Sequence, residues 1–83
     1  MANVTYYVAM PFFHDEAGIL IPGAAEECQH SSAALRRAEA MSRAAGSIGA
    51  VAFSRSGDPM AGEFGDAHVL RKFGEVPDDL MGL

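Results

Sequence analysis

Residues 47–57, SIGAVAFSRSG, constrain this chain more than any other stretch. They form a short run of β-branched, aromatic and small apolar side chains, closed off by Gly57-Asp58-Pro59. A strand that is apolar on both faces belongs in the middle of a sheet, covered above and below. The chain ahead of it offers one helix, and the chain behind it offers a hairpin. The helix accounts for one face of the sheet, and the other is left without an evident cover.

Length makes that gap matter. With 83 residues there is room for one domain, and a chain this short buries only roughly 60–65% of its unfolded surface. Small domains compensate with disulfides, a metal or self-association. Cys28 is the only cysteine, so no disulfide can form within the chain. One Cys and three His are also a poor source of four structural-zinc ligands. Self-association is the route that remains.

Charge narrows the partners. The net charge is −5, and it is unevenly placed. Residues 1–35 carry four acidic side chains and no Lys or Arg, whereas all six basic residues fall within 36–72. Phosphate contacts supply most nonspecific nucleic-acid affinity, so an acidic chain is a poor nucleic-acid binder. The opening MANVTYYVAM lacks a basic n-region and reads as a strand, and no apolar run approaches the length of a membrane span. With its single cysteine, the chain is expected to be a soluble cytoplasmic protein.

Alternation predicts a first strand over 4–13, with Tyr6, Val8 and Met10 on one side and Tyr7, Ala9 and Pro11 on the other. A turn over 14–18 follows, with Gly18 free to take positive φ. The return strand starts at 19–21, is interrupted by Pro22-Gly23 and resumes over 24–30 after a bulge. Its proline places it at a sheet edge. Ser31 or Ser32 is expected to cap a helix over 33–45, ended by Gly46. Ala34, Leu35, Ala38, Met41 and Ala45 make its apolar stripe. Behind the central strand, Gly57-Asp58-Pro59-Met60-Ala61-Gly62 suits a type I turn followed by a left-handed glycine. The last strand is expected over 63–73.

The expected fold is therefore α+β: a four-stranded antiparallel sheet, order 2-1-3-4 in a ββαββ chain, with one helix packed on one face. A single domain spans 1–77, and 78–83 form a short acidic C-terminal tail.

The stretches AEECQ at 25–29, LRRAEAM at 35–41, GAVAFSRSGDP at 49–59 and FGEVPDDL at 73–80 carry a family likeness. Over most of its length the chain resembles short bacterial proteins of unknown function with a ββ-α-ββ order of segments. The resemblance implies a bacterial cytoplasmic protein and brings no catalytic or binding residues with it.

A helix stripe dominated by alanine is expected to pack against large side chains. That reasoning puts Tyr6, Val8, Val51, Phe53, Val69 and Phe73 on the helix side. The open, interacting face would then carry Tyr7, Ala9, Ala50, Ala52, His68 and Leu70. Arg71 disagrees, because it falls between Val69 and Phe73 on the supposed core side; a bulge, a strand-end position or a different phase of the last strand would account for it. Stacking two such open faces across a twofold axis would enlarge a small core, so a homodimer is the expected assembly, with edge-strand pairing as its other geometry and a different protein partner as the alternative.

Chemistry is thin by comparison. Cys28 and His30 share a strand face, and with His14 and Asp15 they would form a metal site only if the ends of one hairpin met. His68 beside Asp66 is the only candidate acid–base pair. No nucleophile motif or phosphate-cradling glycine loop is present, so no cofactor and no metal are expected. The residues favour a small homo-oligomeric protein-interaction module, adaptor or regulatory in kind, over an enzyme. A small enzyme or ligand-binding protein using the open sheet face is the alternative.

Overall fold

The computed structural model describes residues 3–58, 60–65 and 67–76. The acidic tail expected over 78–83 lies outside them. At the centre, β1 (Val4–His14) and β4 (Gly49–Asp58) pair antiparallel over nine positions, from Val4 opposite Gly57 to Phe12 opposite Gly49. Their alternating β-branched, aromatic and small side chains suit a pleated ladder buried on both sides.

Short strands flank this pair. β2 (Leu20–Pro22) and β3 (Glu26–Cys28) both pair with β1, and β5 (Glu63–Phe64) and β6 (His68–Gly74) both pair with β4. Every pairing is antiparallel. The fold is α+β, with one helix, an antiparallel sheet and a ββ-α-ββ order of segments.

The expectation of four continuous strands in the order 2-1-3-4 needs correction. The sheet has six strands along the path β2-β1-β4-β5, with β3 also on β1 and β6 also on β4. Each outer position is shared by two short strands. On one side the cause is Pro11. It lies in the middle of β1, has no N–H to donate, and faces the gap between β2 and β3. Its carbonyl accepts from Gly23 N–H at 2.8 Å. A Cβ at Gly23 would come within 2.9 Å of Pro11 Cγ and 2.5 Å of Phe13 Cε2, so a larger residue there would have to displace those side chains. On the other side, β5 ends with Phe64 opposite Gly57 and β6 begins with His68 opposite Ser54, Gly65 N–H still donating to the Ser56 carbonyl at 2.9 Å.

The turns follow local chemistry. Asp15 Oδ1 accepts from the N–H groups of Ala17 and Ile19, both at 2.9 Å, and Gly18 has φ +79. After β4, Asp58 Oδ1 accepts from Met60 N–H at 2.9 Å, and Gly62 takes φ +70. Such side-chain acceptors satisfy the orphaned N–H groups of tight turns.

The helix α1 (Ser31–Ser42) is capped by His30 rather than by Ser31 or Ser32. His30 is extended, and its Nδ1 accepts from Ala33 N–H at 3.2 Å and meets Ser32 Oγ at 2.8 Å. The imidazole nitrogen does what a cap hydroxyl would do, immediately ahead of Ser31. The helix thus starts two residues before the expected 33 and stops three short of 45, with Arg43 as its C-cap, and Gly46 turns the chain beyond it at φ +84. Among the described residues no helix is long and apolar enough to cross a membrane.

Candidate interaction face

Two clusters show how the central strands divide their side chains. Ala9, Ala50 and Ala52 are fully buried with Ala34, Ala38 and Met41 of α1, and Tyr7, Cys28, Leu35 and Phe73 pack around them. Met10, Phe12, Val51 and Phe53 form the second cluster, joined by Val8, Leu20, Ile48, Ala67 and Val76. The first cluster is the helix side, and the second lies on the far side of the sheet.

This reverses the expected faces. Tyr7, Ala9, Ala50 and Ala52 were assigned to the open face, yet Ala9, Ala50 and Ala52 are fully buried with the helix and Tyr7 packs on the same cluster. The physical reason is close approach. Alanine on the helix meets alanine on the sheet, so the two backbones come near enough to exclude water with almost no side-chain bulk. The large residues gain more by packing with one another on the other side. His68 is opposite Ser54, so it shares the helix-side parity, but it is exposed at the strand end. Leu70 is 37% exposed and has no partner in the ladder.

Leu70 also explains Arg71. The register of β6 against β4 shifts there, with Val69 opposite Phe53 and Arg71 opposite Ala52. One extra residue turns Val69 to the far side while Phe73 stays under the helix, a change of phase that a bulge produces. Arg71 follows Phe73 to the helix side, and its guanidinium carbon sits 5.3 Å from the Phe73 ring centroid. That stacking keeps the charge at the rim.

The far face is the sheet surface without a helix. Along its length β1 presents Val4, Tyr6, Val8, Met10 and Phe12, and β4 answers with Val51, Phe53 and Arg55. Met10, Phe12, Val51 and Phe53 are buried, but the surface opens toward its outer strands. Phe64 and Val69 are each 43% exposed, and Val4 is 37% exposed. Tyr6 and Phe64 bring their rings to 5.7 Å at a 50° tilt. With Val8, Ala25, Phe53 and Arg55 they line an apolar cleft of about 320 Å³. Sequence reasoning missed Phe64 here, because its placement depends on where β5 ends and β6 begins.

The remaining candidates stay apart. Cys28 lies half-buried on β3 beside the helix cluster, His30 caps α1, and His14 Nε2 lies 3.4 Å from Glu75 Oε2. Asp15 is engaged in its own turn. Among the described residues no group of three His, Cys, Asp or Glu could hold a metal ion. Asp66, the proposed partner of His68, lies outside the described residues. The polar strand end at Ser56 hydrogen-bonds to Thr5, Oγ to Oγ1, at 2.8 Å. On the helix side Glu26 Oε2 accepts from Arg37 Nε and Nη2 at 2.8 and 2.6 Å, tying β3 to α1. This hydrogen bond, and then the Glu26 charge, raise the Arg37 pKa above its ordinary value.

No protein-family model, no curated protein and no solved structure matches this chain.

Proposed function

We propose that the chain is a small cytoplasmic protein-interaction module that self-associates through the far face of its sheet. The observation that carries this reading is the half-exposure of Phe64 and Val69 next to the buried Met10, Phe12, Val51 and Phe53. A contiguous apolar surface of this kind marks an interaction site more often than it stays wet. A second copy offers the same surface, and a twofold axis makes any such patch self-complementary. Pairing would also enlarge the core of a chain near the lower size limit for independent folding.

Size-exclusion chromatography with light scattering tests the proposal. The wild-type chain is expected to run as a dimer at high micromolar concentration. Val69→Asp and Phe64→Asp are expected to give folded monomers, since both side chains are already partly in water. A wild-type protein that stays monomeric at that concentration would refute self-association. Dimers that survive both substitutions would refute the face.

A further inference from the structure

The two edges of the far face carry opposite charges. Glu27 stands opposite Val8 on β3, so it projects from the same side of the sheet as the Met10, Phe12, Val51 and Phe53 cluster. Lys72 stands opposite Val51 on β6 and shares that side. Both residues are exposed. Their neighbours keep the alternation, since Glu26 bonds to Arg37 of α1 and Arg71 stacks on Phe73 under the helix. Among the described residues, the other charged groups in phase with this face are Arg55, on the inner strand β4, and His14, at the end of β1 with Glu75 3.4 Å away. Across the strands the far face therefore runs from an acidic edge, over an apolar middle, to a basic edge.

Given the self-association proposed above, on which this rests, we infer that the second copy is turned about a twofold axis running along the strands, so that Glu27 of each chain meets the partner's Lys72. Stacked sheets pack with their strands nearly aligned or nearly crossed. The two aligned arrangements of identical faces differ in the direction of the axis. An axis along β1 and β4 lays the β3 edge of one copy over the β6 edge of the other, acid over base at both rims. An axis across the strands lays each edge over its own copy, Glu27 beside Glu27 and Lys72 beside Lys72. In a crossed packing the edges face strand ends, and neither pairing forms. The apolar middle is indifferent to this choice, because Met10, Phe12, Val51 and Phe53 all lie on the two central strands. Rim charges decide it: opposite charges orient the docking, and like charges brought together weaken the wrong arrangement. Glu27 is level with Phe53 and Val69, and Lys72 is level with Met10 and Val51, two residues along the ladder. That offset is roughly 7 Å, which a glutamate and a lysine side chain span between them. Lys72 already has an interaction inside its own chain, and the pairing asks only for its charge at that edge.

Sedimentation equilibrium of the full chain at low salt, where rim charges are least screened, gives the dimer dissociation constant. Glu27→Lys and Lys72→Glu are each expected to weaken the dimer about tenfold, because each turns two attractive rim contacts into repulsive ones. Glu27→Lys is the sharper of the two. It lowers the net charge from −5 to −3, one acidic charge lost and one basic gained, and that alone would favour association. The doubly exchanged chain, Glu27→Lys with Lys72→Glu, keeps the net charge of −5 and should recover wild-type affinity. Both positions are exposed, so all three variants should keep the wild-type circular dichroism. Mixed with wild type, the doubly exchanged chain is expected to pair only with its own kind, since a mixed dimer sets acid against acid at one rim and base against base at the other. Preferential mixed dimers would place the axis across the strands and overturn the inference. So would single exchanges that leave the affinity unchanged, or a double exchange that fails to restore it. A wild-type chain that stays monomeric refutes self-association itself, whereas a dimer indifferent to these exchanges refutes only the axis.

Discussion

Ala9 of β1 and Ala52 of β4 stand opposite each other in the central ladder, both fully buried in one cluster with Ala34 and Ala38 of α1. At its centre the layer between helix and sheet is made of alanine methyl groups, with Met41 buried beside them and Tyr7, Leu35 and Phe73 around them. A layer this thin has no slack, because a larger side chain cannot enter it without lifting the helix.

Ala38→Leu is therefore expected to destabilise the fold by about 1–3 kcal/mol, the usual cost of overpacking a filled core. Urea unfolding followed by circular dichroism measures this directly. Unchanged stability would mean that the helix does not lie so close to the sheet. Ala52→Asp is expected to unfold the chain, because it buries a charge under α1.

Gly74 and Gly46 both take positive φ, +73 and +84. They differ in surroundings. A Cβ at Gly74 would come within 2.6 Å of the Ile48 carbonyl oxygen, while one at Gly46 would meet nothing within 4 Å. Gly46→Ala is expected to cost about 1–2 kcal/mol, the penalty of left-handed backbone alone. Gly74→Ala should cost clearly more, because the backbone of β6 must also move away from the residue before β4. Paired thermal melts compare the two, and equal losses would count against the close approach at Gly74.

Leu70 is the surplus residue of β6, since Val69 faces Phe53 and Arg71 faces Ala52. Deleting Leu70 should leave Val69 on the far side and Phe73 under the helix, with a regular ladder between them. The shortened chain is expected to fold, with helical and sheet signals close to those of the wild type. A collapse of structure on this deletion would show that the bulge itself holds β6 in place.

Much of the local structure was legible in the residues. Asp15 and Gly18, Asp58 and Gly62, and the run ending at Gly46 each direct a turn through their own side chain or backbone freedom. Alternation also showed which residues share a side: Tyr6 with Val8 and Met10, and Ala50 with Ala52. What alternation leaves open is which side the helix takes. Reading small side chains as complements of large ones placed the helix on Val51 and Phe53, and the structure places it on Ala50 and Ala52.

The side taken by the helix was misread for that reason, and Arg71 was the sign in the sequence that pointed to it. A charge in phase with Val69 and Phe73 signalled a slip between them, and the slip lies at Leu70. Phe64 had no such sign. Its place beside Tyr6 depends on where β5 stops and β6 begins, which is decided by pairing across the ladder between residues far apart in the chain.

By itself, then, the sequence determined the helix, the turns, the central place of 49–58 and the two-sided pattern of the strands, because these follow from short-range backbone preference and period. Tertiary structure alone decided which side became the core under α1, how the outer strands break, and how Glu27 and Lys72 come to opposite edges of the far face. Those outcomes turn on close packing between surfaces brought together only by folding, and no local pattern encodes them.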